Sequence, residues 1–172
     1  MSYRLKMKVR SLLADQVAHL IGIGEVTQVR GFLSGLNGES PLEFILEHDG
    51  KKLRDPVEIA RTLTNLHTAT LQALRDELER TGLVTAGRLQ LGRTELMWGN
   101  DEPLTHAEVE SIELFDNSPI QLRVMKHGKV WPYGKADTDD IPNVVEVLRI
   151  AHELGYPVKG LALLDALFSA VP

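Results

Sequence analysis

The chain has 172 residues, 43% hydrophobic and 25% charged, enough apolar material for the core of one ordinary domain or two small ones. It has no cysteine, which excludes disulfides, thiolate metal sites and cysteine nucleophiles, and no apolar run of about 18 residues to cross a membrane as a helix. The net charge of −5 sits in one part: residues 1–84 carry 11 basic and 11 acidic side chains, residues 85–157 carry 7 and 12. An average surface this acidic disfavours nucleic acid and anionic lipid as partners.

The opening, YRLKMKVR, alternates strictly. Tyr3, Leu5, Met7 and Val9 fall on one side; Arg4, Lys6, Lys8 and Arg10 fall on the other. That predicts a half-buried strand with a basic outer face. Four cations in a row discourage pairing with a foreign strand edge; they are also the chain's candidate strip for an anionic partner such as nucleic acid. The basic start is a poor secretory signal, because Asp15, Gln16 and His19 interrupt the apolar stretch behind it. With the missing cysteines, this points to the cytoplasm.

A short helix is predicted over SLLADQVAHLIGIG, ended by Gly22 or Gly24. VTQVRGFL and PLEFILEH follow as two strands about an Asn37-Gly38 turn, and His48-Asp49-Gly50 closes the second. No glycine spacing here cradles phosphate, so no cofactor is expected. The clearest helix comes next. Asp55 caps it, Pro56 fits its first position, Glu58 can complete a capping box, and Gly82 stops it. Ile59, Leu63, Leu66, Leu71, Leu74 and Leu78 form its apolar stripe. Such a stripe faces a core or a second copy, so the helix at 56–81 is the expected route to self-association.

Beyond GLVTAG (82–87), the candidate domain boundary, the pattern changes to strands: a hairpin RLQLGRTELMWG about Gly92-Arg93, a turn at NDEP, then AEVESIELF and PIQLRVMK. KHGK (126–129) is the predicted hairpin tip and KVWPYGK the returning strand. A helix over about 142–154 and a last one over LALLDALFSAV close the chain. The fold class is α+β, with residues 1–84 as one region and 85–172 as a meander covered by its closing helix.

Chemistry is thin in this sequence. The six histidines (His19, His48, His67, His106, His127 and His152) show no HExxH or HxH spacing, and no serine lies in a nucleophile elbow. The densest stretch is KVWPYGKADTDDIPNVVEV. Its run of Asp137, Asp139 and Asp140 lacks the glycine and the twelfth-position glutamate of a calcium loop. Asp139 or Asp140 is expected instead to cap the helix that follows, so no metal site is assigned. Trp98, Trp131 and Tyr133 are expected to cover the sheet, or to line a ligand groove. If the protein is an enzyme of hydrolase type, its site must be assembled from scattered groups: His106, Glu108, Asp137 and Asp139.

The segment from about Arg88 to Tyr156 resembles the bacterial pleckstrin-homology-like domains. The hairpin RLQLGRTELMWG, the strand region EPLTHAEVESIEL, PIQLRVMKHGKVW and the D-D-I-P-N opening of a terminal helix carry the likeness. His106 stands where an aromatic is commoner and Glu108 near the usual acidic position. The resemblance implies seven strands, of which five are evident, and a binding or scaffold module with no catalytic residues. Lipid-binding members use a basic first-hairpin loop; here that turn offers only Arg93, so lipid binding is not implied. The leading expectation is a non-enzymatic module for a protein partner or self-association.

Overall fold

The structure, a computed structural model, describes residues 2–9, 21–22, 42–115 and 119–168. Arg10, most of the helix expected over 11–24, the strand VTQVRGFL, the Asn37-Gly38 turn and the end of the last helix lie outside these residues. The alternating start forms β1 (Tyr3–Val9), which buries Tyr3, Leu5 and Met7. It pairs antiparallel with β2 (Leu42–His48), Leu5 opposite Leu46 and Lys6 opposite Ile45. β2 turns into β3 (Lys51–Leu53) through Asp49 and Gly50, both at positive φ, as a two-residue hairpin turn requires. The sheet order is β1-β2-β3.

Helix α1 (Pro56–Thr81) has the expected ends. Asp55 Oδ1 accepts from the Val57 N–H at 3.2 Å, and the Gly82 N–H donates to the Leu78 carbonyl at 2.8 Å. Ile59, Leu63, Leu74 and Leu78 are buried. Each fully buried leucine stabilises by about 1.5–3 kcal/mol, so this stripe holds the helix to the rest of the chain. The stripe that reads in sequence as a possible seam faces the chain's own core, and Val57 is the only large apolar residue of α1 that is exposed.

GLVTAG contains a strand. β4 (Leu83–Ala86), β5 (Leu89–Gly92), β6 (Glu95–Trp98) and β7 (Leu104–Thr105) form a four-stranded antiparallel meander. β8 (Val109–Phe115), β9 (Gln121–Lys126) and β10 (Gly134–Asp137) form a second one, and β11 (Val158–Lys159) adds parallel to β8. Helices α2 (Val144–Glu153) and α3 (Leu161–Phe168) complete the α+β arrangement. One apolar cluster runs from Tyr3, Leu5 and Met7 through α1 and both meanders to α2 and α3.

Two expectations change. The returning strand starts at Gly134, not at Lys129, and residues 127–133 form a loop. Pro132 has no N–H to give a ladder, which explains the late start. Gly134 is fixed by its neighbour, since a Cβ there would lie 2.2 Å from the Trp98 ring. Helix α2 starts at Val144, two residues after Pro142, and its cap residue is Asn143 in the left-handed conformation (φ 55°).

Candidate functional site

The aspartates of the dense stretch do not cap α2. Thr138–Asp140 form a separate 3-10 turn, and neither the Asp137 nor the Asn143 side chain bonds the turn or helix that follows it. The partners of Asp139 lie on β1. Asp139 Oδ2 is 3.5 Å from Lys6 Nζ, and the Asp139 carbonyl accepts from Arg4 Nη1 at 2.9 Å. Asn143 Oδ1 accepts from the Tyr3 N–H at 3.0 Å, while the Asn143 N–H donates to the Tyr3 carbonyl at 3.1 Å. An amide in left-handed backbone thus binds a strand residue on both sides, a geometry asparagine tolerates better than most residues.

Beneath that contact is a buried polar junction which sequence reasoning missed. Glu146 is fully buried on α2. Its Oε2 accepts from the Tyr3 hydroxyl at 2.6 Å, and its Oε1 lies 2.9 Å from His67 Nδ1 on α1. The Tyr3 oxygen accepts in turn from the Val145 N–H at 3.2 Å. Burial, then the adjacent Glu146 carboxylate, pushes the Tyr3 phenol well above its ordinary range. The signal available in sequence was one acidic residue inside the apolar run VVEVL.

His106 and Glu108 have structural duties. The His106 ring stacks on Tyr156 with centroids 4.3 Å apart, and its Nε2 is 3.1 Å from the Leu154 carbonyl. Glu108 accepts from the Thr105 N–H at 2.8 Å and hydroxyl at 3.1 Å, and pairs with Lys126 at 3.3 Å. These contacts, the Thr105 N–H first, hold its carboxyl below the usual range. The Tyr156 hydroxyl donates to the Gly92 carbonyl at 2.8 Å, and burial pushes that phenol up to about 12. The register of the second meander separates the hydrolase candidates. Val109, just after Glu108, pairs with Lys126, while Phe115 and Asp137 both pair with Gln121. Six residues of strand, about 20 Å, lie between the two ends. His106 and Glu108 therefore do not converge with Asp137 and Asp139. Among the described residues no group of three or more His, Asp or Glu side chains is placed to hold a metal ion.

The aromatics divide. Trp98 is 3% exposed in the core, as expected. Tyr133 is half-buried, its hydroxyl accepting from the Trp98 N–H at 3.2 Å and donating to the Glu102 carbonyl at 2.7 Å. Trp131 covers nothing: it is 83% exposed beside Val130 at 88%. The loop that carries this pair has a fixed base. Lys129 N–H donates to the Lys126 carbonyl, His127 N–H to Glu108, and Tyr133 N–H to Val124. Below it the Trp98 indole lies against Gly134.

The basic strip lies on the outer face of β1, as the alternation requires. Arg4 is exposed and Lys6 and Lys8 are half-buried. Comparison of the chain with protein-family models, curated proteins and solved structures finds no match.

Proposed function

We propose that the chain is a non-enzymatic binding module that docks a partner protein through the Val130–Trp131 tip, on a pleckstrin-homology-like scaffold. The observation that carries this reading is the tip itself: two large apolar side chains, 88% and 83% exposed, on a loop whose base is hydrogen-bonded on both sides. A soluble surface tolerates single apolar residues, but a projecting tryptophan on a rigid base is an unspent binding anchor. Ordering it costs little, because the base is already fixed. Exposed His127 and Lys129 flank the tip, so the fitting partner offers an apolar pocket rimmed with carboxylates. Seven strands, β4 to β10, in meanders of four and three and followed by α2, support the scaffold reading.

Selection of displayed peptides on the intact protein tests this. Binders rich in apolar and acidic residues are expected, and Trp131→Ala is expected to weaken them by about 2 kcal/mol or more, the scale of an interface hot spot. Selected peptides that bind the variant equally well would place the binding surface elsewhere.

A further inference from the structure

We infer that the outer face of β1–β2–β3 is a binding site for a small phosphate monoester, independent of the Val130–Trp131 tip. The register builds it. Outward from the sheet, Arg4 stands across from Glu47 and Lys52, and Lys6 stands across from Ile45. Antiparallel continuation of the β2–β3 ladder puts Arg54 on the far side of Ile45. The result is an apolar floor with cations along both margins, concave enough to enclose 270 Å³. Among the described residues Glu47 and Asp139 are the carboxylates in its wall, against five cations counting Lys8, and Glu43, across from Lys8 and 3.1 Å from Arg54, is a third carboxylate on the same face. A surplus of two positive charges among the described residues thus collects on one face of a chain whose net charge is −5.

The intramolecular pairs preorganise this face and leave it charged. Arg4 is held by the Asp139 carbonyl, a neutral acceptor, while Lys6 pairs with the Asp139 carboxylate at 3.5 Å. Arg54 is oriented by Glu43 at 3.1 Å, and Lys52 stands 3.9 Å from Glu47 with both side chains largely exposed, a pairing worth little in water. Lys8 makes no ion pair with any described residue. A phosphate monoester suits these donors. It brings nearly two negative charges and three acceptor oxygens, which donors on opposite margins can share, and guanidinium groups bind it in bidentate fashion. The size matters too. Pockets for drug-sized ligands run from about 300 Å³ upward, so this one holds the phosphate and a small organic remainder over Ile45. Arg4, Lys6, Lys8 and Lys52 are carried by paired strands, which position side chains more firmly than loops do, and Arg54 follows directly on β3.

The test is a titration of the 15N-labelled full chain with phenyl phosphate, at ionic strength held constant with sodium chloride. Saturable shifts are expected in the amides of Lys6, Lys8 and Lys52. Lys8→Glu should weaken binding at least about tenfold, whereas Arg80→Glu, the same charge change near the far end of α1, about 36 Å along the helix from Pro56, should alter it less than about twofold. Non-saturating shifts reproduced by chloride alone would overturn the inference, and so would equal losses in the two variants. A single-stranded oligonucleotide that displaces phenyl phosphate and binds a hundredfold tighter would overturn it in favour of a polyanion. None of these outcomes depends on the Trp131 peptides, so the two readings fail separately.

Discussion

Two neighbouring stretches, Lys126–Gly134 and Asp137–Glu146, use their side chains in opposite ways. The first turns its apolar groups outward, with Val130 and Trp131 in solvent above a fixed base. The second turns its polar groups inward or sideways onto β1, with Asp139 on Arg4 and Lys6, Asn143 on the Tyr3 backbone, and Glu146 under the Tyr3 hydroxyl. Buried polar groups cost stability unless they are paired, whereas exposed apolar groups leave burial ungained. In the second stretch the compensation is visible as hydrogen bonds and a neighbouring histidine. In the first no described residue covers Val130 and Trp131, which is why we propose a partner for the tip and read the aspartates as architecture.

Removing the inward partner should have the largest effect. Glu146→Ala leaves the Tyr3 hydroxyl and His67 facing an emptied buried site, and about 3–5 kcal/mol of stability should be lost in urea denaturation. A loss below about 1 kcal/mol would mean that the junction holds nothing together. Tyr3→Phe is milder: it strips one bond from Glu146 and one from the Val145 N–H, costing about 1–3 kcal/mol. The same phenol gives a pH signature. Its folded pKa lies above its unfolded value of about 10, so its contribution is complete below that pH and is lost as pH rises through the folded value. Tyr156, raised to about 12, acts in the same sense. Stability should therefore hold up to about pH 10 and fall above it, less steeply in Tyr3→Phe. The smallest effect belongs to Asp139→Asn, which loses a partly exposed ion pair with Lys6 and should cost under about 1 kcal/mol, with no change in response to divalent metals.

What the sequence made legible were features specified locally. α1 carries its cap, its Pro56, its stripe and its stop within 28 residues, and the structure keeps all four. β1 and the β5–β6 hairpin follow from alternation and a turn. β3, β7 and β11 were not legible, because strands of two or three residues exist only through the partners they pair with. The D-D-I-P-N opening misled for a related reason. A run of aspartates before an apolar helix has the composition of a cap, but Asn143 takes the left-handed turn and β1 takes the Asp139 carboxylate and carbonyl, contacts formed across about 140 residues of chain. Composition leaves Trp131 as sheet cover or as part of a ligand groove, and the structure leaves it off the sheet; Pro132 beside it is the local sign of a loop.

The central claim is that the outward tip serves a partner and not the fold, and the direct measurement is Trp131→Ala made once in two assays. An unfolding free energy in urea within about 0.5 kcal/mol of the parent is expected, together with loss of the selected peptides. A variant that unfolds more readily by over 1 kcal/mol, or that keeps its peptides, would contradict it.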